Sequence, residues 1–227
     1  METVERVPKY DEAKAGHKWL AYFDLLAWSK FCEKADLSTI FHVYSHLLEQ
    51  LNNRVAGWHQ ITRAWASDTF LFYSRDDSPE SFQVVDLAAR WFIALMLKNE
   101  IPIRGALAQG DFYADEDSRL FFGRAFVEAH DFAEKQQWIG LVLTPSAETK
   151  AAGIFSPSLY RRWPVLFKGA PEPVVLQVFM LNRLPLSPKG GEIVRALQRM
   201  KARTPDKNNK TKYTRTIEFL RASRSRQ

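Results

Sequence analysis

The chain has 227 residues, about one and a half times a modal domain, which suits one large domain with an appendage better than two full ones. A make-up of 46% hydrophobic, 13% aromatic and 26% charged residues, with only 10 Gly and 11 Pro, excludes a disordered, collagen-like or low-complexity chain. The net charge of +6 is unevenly placed: from Lys189 onward there are 12 Lys and Arg against 3 Asp and Glu, and the part before it holds 20 against 23. A basic tail can bind phosphates, yet a solvated helical face is the commoner origin of such a run, so nucleic acid is not the expected partner. One cysteine, Cys32, cannot form an internal disulfide and fits a reducing compartment. The first residues, Met1 to Arg6, are too charged for a signal peptide, and no apolar run approaches the roughly 20 residues that cross a bilayer. The expectation is a cytoplasmic protein with no membrane insertion.

In chain order, the apolar, aromatic run Trp19 to Leu26 reads as a buried strand with Asp24 in its middle. Ile40, Val43, Tyr44, Leu47, Leu48 and Leu51 recur at three- and four-residue spacings, which predicts an amphipathic helix over 37–51. Ile61 to Ala66 and Thr69 to Tyr73 are strand-like runs meeting at Ser67-Asp68, a tight hairpin with Asp68 at its tip. Ser78-Pro79-Glu80 opens a long helix over 81–99. A strand over 101–113 begins at Pro102 and ends in the polar turn Asp115 to Ser118. Leu120 to Gly123 precede a helix over 124–137, and a strand over 138–143 stops at Pro145. Val174 to Met180 reads as the last strand, 184–191 as a linker, and 192–203 and 212–223 as two helices.

This order, β-α-β-β-α-β-α-β and then a strand and two helices, predicts an α+β fold. Its core is a mixed, largely antiparallel sheet of the ferredoxin-like split βαβ type, with helices on one face. The predicted division is a domain over 1–183 and a linker with a basic helical extension over 184–227.

Asp24 and Asp68 stand where apolar or turn residues suffice. A buried carboxylate costs several kcal/mol unless paired, hydrogen-bonded or bound to a cation. In a β-α-β-β arrangement the first strand lies beside the hairpin, so the two side chains could converge on one or two divalent ions. The open alternatives are a surface aspartate in a turn for Asp68 and an arginine-paired aspartate for Asp24. His42, His46 and His59 read as surface histidines, because the His42/His46 spacing lacks the glutamate of a metalloprotease helix. Ser67 has no evident base, and no Gly-x-Ser-x-Gly motif supports a serine hydrolase.

Four segments resemble class III nucleotidyl cyclases, the superfamily of adenylyl and guanylyl cyclase catalytic domains. Phe23-Asp24-Leu25-Leu26-Ala27-Trp28-Ser29 resembles their first metal motif and Ala66-Ser67-Asp68-Thr69-Phe70 the second. Arg104 to Gly110 resembles the next strand, and Phe122-Gly123-Arg124-Ala125-Phe126-Val127-Glu128-Ala129 the helix that a glycine starts. Together they span about residues 18 to 145. The resemblance implies two ions, Mn²⁺ or Mg²⁺, on Asp24, Asp68 and the backbone carbonyl of Leu25. It also implies triphosphate binding by the turn through Leu25, Ala27, Trp28 and Ser29. Ala27 replaces the usual glycine, and alanine disfavours positive φ.

The departures from the pattern bear on substrate. Adenylyl cyclases read the purine with a lysine and an aspartate whose places here hold Ala64 and Leu120. The asparagine and arginine that orient ribose and stabilise the transition state fall on Val127 and Asp131. Arg104 and Arg124 are the candidates for the missing cationic role, since a guanidinium binds phosphate oxygens bidentately. The run Ala129 to Leu141 and the tail Lys212 to Leu220 are more similar to the pyrimidine cyclases of bacterial anti-phage defence. That similarity implies conversion of a pyrimidine triphosphate, UTP before CTP, to its 3′,5′-cyclic monophosphate and pyrophosphate by a homodimer. The product would be a second messenger read by a separate effector. Trp65, Ala64 and Tyr44 are the candidate base pocket, narrowed to pyrimidine size. Two other readings stay open: a cyclase-like nucleotide-binding module without catalysis, and a nucleic-acid-binding protein acting through its tail.

Overall fold

The computed structural model describes residues 8–26, 28, 33, 36–55, 57–183 and 191–223. Of the expected linker over 184–191, residues 184–190 lie outside the described residues, as do Ala27, Ser29 and Cys32, and Gly191 already begins a helix. The fold is built on β1 (Ala15–Leu25), a strand buried from Lys18 to its end. It pairs antiparallel with β3 (Thr69–Tyr73) on one side and with β4 (Ile103–Asp115) on the other. β2 (Thr62–Ala66) completes the hairpin with β3 as an edge strand, and β4 runs parallel to β6 (Gly140–Leu143). The order across the sheet is β2-β3-β1-β4-β6-β8-β7, with β5 (Leu120–Phe122) pairing only with β4.

Four elements differ from the predicted set. β5, β7 (Tyr160–Val165) and the short helix α4 (Pro145–Lys150) carry no strong pattern in the sequence. Pro145 does end β6, but it also occupies the first turn of α4, where its missing N–H costs nothing. β7 holds two arginines and Pro164, a composition tolerated because it is the sheet's outer strand, paired only with β8 (Val174–Phe179). The last helix, α6 (Lys207–Ala222), starts five residues earlier than its apolar spacing indicates, at the capping carboxylate of Asp206.

Helices cover both faces of the sheet, not one as the element order led us to expect. α1 (Leu37–Asn52) and α2 (Pro79–Lys98) lie on the side of Phe23, whose ring meets Phe92 of α2 edge-on at 5.0 Å. α3 (Arg124–Lys135) lies on the side of Tyr22, whose ring meets Phe126 at 5.9 Å and His130 at 5.3 Å. Successive strand residues point to opposite faces, so these contacts sandwich β1. The unbroken apolar run from Trp19 to Phe23 is what such double burial requires. α3 comes this close because Gly123, at φ +139°, precedes it: a Cβ there would run into the Asp111 carbonyl of β4.

α5 (Gly191–Arg203) and α6 are packed on the core. The Phe219 ring sits 5.1 Å from Trp138 and 5.2 Å from Trp163. The Thr216 hydroxyl lies 2.9 Å from the Ile139 amide and 3.0 Å from its carbonyl, satisfying buried main chain just before β6. Among the described residues no helix is long and apolar enough to cross a membrane.

Candidate active site

The two aspartates meet at the C-terminal end of β1. In the β1–β3 ladder Asp24 stands opposite Thr69, and the Leu25 amide continues the pairing by donating to the Asp68 carbonyl at 3.0 Å. Asp68 is therefore the next residue along from the direct partner of Asp24. The two-residue connection follows the twist of its strands because Ser67 takes φ +57°. For a serine this left-handed conformation costs of order 1 kcal/mol, and strain of this kind gathers at working sites.

Asp24 is buried and paired. Arg104 Nε donates to its Oδ2 at 2.6 Å, and the two side chains are 12% and 10% exposed. The same guanidinium donates to the main-chain carbonyls of Glu134 and, at 3.4 Å, Gln136, so it joins β1 to the end of α3. Burial pushes the Asp24 carboxyl above its ordinary value, Arg104 opposes the rise, and Glu134 and Asp68 add to it. The net displacement is upward: one guanidinium does not compensate this carboxylate for its desolvation and its acidic neighbours.

That imbalance is one a divalent cation would correct. Among the described residues no group of three or more His, Cys, Asp or Glu side chains converges as a complete metal cage. The Asp24 and Asp68 carboxylates and the Leu25 carbonyl that the resemblance implies would make a partial, all-oxygen donor set, a chemistry that suits Mg²⁺ or Mn²⁺ sharing its remaining positions with phosphates and water. The residues fit the group, with Arg104 as its competitor for Asp24.

The other expected site residues are divided. Leu25 and Trp28 line a cavity of about 550 Å³ on the α1 side, together with Tyr44 and Tyr213. In the expected phosphate turn the Leu25 and Leu26 amides are already bonded, to the Asp68 and Pro102 carbonyls. Ala64 lies on the opposite face, where Tyr22, Thr69, Leu71 and Phe126 enclose about 720 Å³. Trp65 borders that cavity, but its register partner is Phe70, which places its ring on the other face. Tyr44 is wholly on the α1 side, stacked on Trp28 at 5.3 Å and edge-on to Phe70 at 5.2 Å. Ala64, Trp65 and Tyr44 therefore do not form one pocket: strand alternation separates residues that sequence proximity suggested grouping.

Arg124 is also displaced. It sits 3.6 Å from Asp111, whose partner on β1 is His17, seven residues before Asp24 and thus ~23 Å away at a strand rise of about 3.3 Å. Within one chain Arg124 cannot share a site with Asp24, whereas Arg104 does. Sequence reading missed Tyr22, Glu134 and Lys212, all of which interact electrostatically with Asp24. Tyr22 was accessible through period-two spacing from Asp24, while Glu134 and Lys212 carry no local signal.

The fold is that of the catalytic domains of class III nucleotidyl cyclases. The chain is similar to the adenylyl cyclase CyaB from P. aeruginosa, with a TM-score of 0.52 at 14% identity, covering 72% of this chain and 94% of that one. It is similar to the guanylate cyclase domain of RhGC from Catenaria anguillulae, solved in complex with GTP, with a TM-score of 0.54 at 14% identity over 73% and 98% of the two chains. A guanylyl cyclase domain of the RhoGC fusion protein from Blastocladiella emersonii gives 0.56 at 14% identity over 73% and 98%. No protein-family model and no curated protein matches the sequence.

Proposed function

We propose that this protein is a metal-dependent nucleotidyl cyclase acting on a pyrimidine triphosphate, UTP before CTP. The observation that carries the reading is the register that sets Asp24 beside Asp68 at the end of β1, next to the cavity lined by Tyr22, Ala64 and Thr69. In the reaction the ribose 3′-oxygen loses its proton and attacks the α-phosphorus in line. The bond to the β-phosphate oxygen breaks, leaving the 3′,5′-cyclic monophosphate and pyrophosphate. Asp24, Asp68 and the Leu25 carbonyl would hold Mn²⁺ or Mg²⁺, which lowers the pKa of the 3′-hydroxyl and neutralises charge on the leaving group. Arg104 supplies a guanidinium at the same point, able to turn from Asp24 to a phosphate oxygen.

The pyrimidine preference rests on the cavity beside β2. Its lining includes Ala64, Leu71, Tyr22 and Phe126, the charged Arg63, Glu116 and Arg119, and the Thr69 hydroxyl 3.2 Å from the Tyr22 Oη. Ala64 and the exposed Leu120 cannot donate to or accept from a purine edge. A second copy of the chain would close this face, giving the homodimer that the resemblance implies, with Arg124 then available across the interface. The cyclic product would act on a separate effector in antiviral defence.

A second reading has its own observation. Arg104 already occupies Asp24, Val127 is 60% exposed, and Asp131 is engaged by Lys135 at 2.8 Å, which suits a cyclase-like module that binds nucleotide without turning it over. One experiment separates the two: incubate the purified chain with each of the four triphosphates and Mn²⁺, and look for cyclic product and pyrophosphate. Cyclic UMP or CMP supports the first reading. Binding without product supports the second, and purine turnover alone removes the pyrimidine assignment.

A further inference from the structure

Residues 191–223 hold nine Lys and Arg against three Asp and Glu, and the packing of α5 and α6 sorts these cations by use. Arg199 and Arg203 are neutralised by Glu100, and Arg215 Nη1 donates to the Gln137 carbonyl at 3.2 Å, so these three dock the helices on the core. Lys201, Lys210 and Arg221 instead line a groove of about 400 Å³ between the two helices, together with Gln198 and Thr214. Among the described residues Glu218 is the one acid lining it, against those three cations. The groove shares no residue with the cavities lined by Leu25 and by Ala64.

A basic run in sequence reads as a solvated face, but such a face pairs its cations with acids three or four residues away. Lys201 has no acid at that spacing. Lys210 has one, Asp206, which is turned to cap α6 and accepts from the Asn209 amide at 2.7 Å. Neither ammonium makes an ion pair among the described residues. Lys210, Thr214, Glu218 and Arg221 follow one another by about a turn, so the lining runs along α6 for ~16 Å at about 1.5 Å per residue. That length matches about five phosphates of one duplex strand at ~3.4 Å of axis each. Neither helix exposes a large apolar side chain among the described residues. A protein partner would therefore find no apolar anchor, and a single strand no ring on which to stack its bases. The backbone of a duplex requires neither, since ammonium, guanidinium, amide and hydroxyl groups are the donors that phosphates take.

We propose that the groove between α5 and α6 is a second binding site, for the phosphate backbone of double-stranded nucleic acid, with Lys201 and Lys210 as its principal contacts and Arg221 at its end. Contacts of this kind carry no base sequence, so binding is governed by salt and not by the order of the bases. The assignment does not depend on the cyclase reading: absence of cyclic product would leave it standing.

The probe is a fluorescently labelled DNA duplex of mixed sequence, about 20 base pairs long, whose anisotropy is followed as the full chain is added at about 50 to 200 mM NaCl. Three phosphate contacts predict a slope of about −2.7 in log affinity against log salt, a loss of about fortyfold over that range. The double variant Lys201→Gln, Lys210→Gln should bring the slope to about −0.9 and weaken binding at the lowest salt by about tenfold or more. Lys9→Gln, which removes an exposed cation outside both helices, should bind as the parent does. Thermal unfolding checks that the variants fold, and the single variants, each removing about 0.9 of slope, serve if the double one does not. Parent-like affinity and slope in the folded variants overturn the assignment, as does failure of the parent to bind the duplex. Tighter binding to phosphatidylserine vesicles than to duplex, lost in the same variants, overturns it in favour of a membrane surface. A salt-sensitive dimer seen by sedimentation, with no duplex bound, overturns it in favour of a second copy of the chain.

Discussion

The Leu25 amide donates to the Asp68 carbonyl at 3.0 Å, fastening the tip of the β2–β3 hairpin to the end of the central strand. With the β1–β3 ladder, this backbone bond makes neighbours of two aspartates 44 positions apart in the sequence. It also ties the acidic pair to a strand buried from Lys18 to its end, so its position is set by the core and not by a loop.

Asp24→Asn and Asp68→Asn should each abolish cyclic product, because an amide is a poor ligand for a hard divalent ion. The two should differ in stability. Asp24→Ala leaves Arg104 buried without its partner and should cost about 3 kcal/mol, whereas Asp68→Ala, at a half-buried turn, should cost under about 1 kcal/mol. Urea unfolding read against turnover checks both; full activity in either Asn variant removes that residue from the site.

Arg104→Gln takes away the cation that competes for Asp24 at 2.6 Å. Mn²⁺ affinity of the nucleotide-free protein should therefore rise by several-fold, while the KM for triphosphate rises as well because a phosphate partner is lost. Paramagnetic resonance of free Mn²⁺ measures the first effect. Weaker or unchanged metal binding would show that Asp24 is not a metal ligand.

Glu100, at φ +57° after α2, is gripped by Arg199 and Arg203 of α5, each at 2.5 Å. The Arg199 hydrogen bond leads the interactions that hold its carboxyl below its ordinary value of 4.5. A depressed carboxylate contributes stability that is complete above the unfolded value and fades as pH falls through the folded one. Docking of α5 should therefore loosen below about pH 4.5 in the parent, and Glu100→Gln should flatten that dependence. Hydrogen exchange of the α5 amides between pH 3 and pH 6 reports it, and identical profiles would contradict the clamp.

Removing residues 191–223 exposes Trp138 and Ile139, which Phe219 and Thr216 cover. The shortened chain should aggregate or unfold, since a buried amide and carbonyl at Ile139 lose their hydroxyl partner together with apolar cover. Soluble, cooperative unfolding of that truncation, seen by circular dichroism, would mark the extension as dispensable.

How far the sequence reached can be judged from Asp24. The apolar run around it was visible from composition alone, and a carboxylate within such a run is costly enough to demand a partner. Period-two and 3.6-residue spacings likewise located β1, the hairpin and helices α1 to α3, because these elements bury one consistent set of positions. β7 and α4 escaped because an edge strand and a six-residue helix bury too little to leave a pattern.

What remained invisible were the distances between segments. Nothing local distinguishes Arg104, which reaches Asp24, from Arg124, which ends ~23 Å along the same sheet at about 3.3 Å per residue. Nor does adjacency in the chain reveal that Ala64 and Trp65 face opposite sides, or that Thr216 returns from the tail to the main chain of Ile139. Such facts depend on register and on how helices cross the sheet. Side-chain chemistry is written residue by residue, but which groups share a low-dielectric space is decided by the packing of the whole chain.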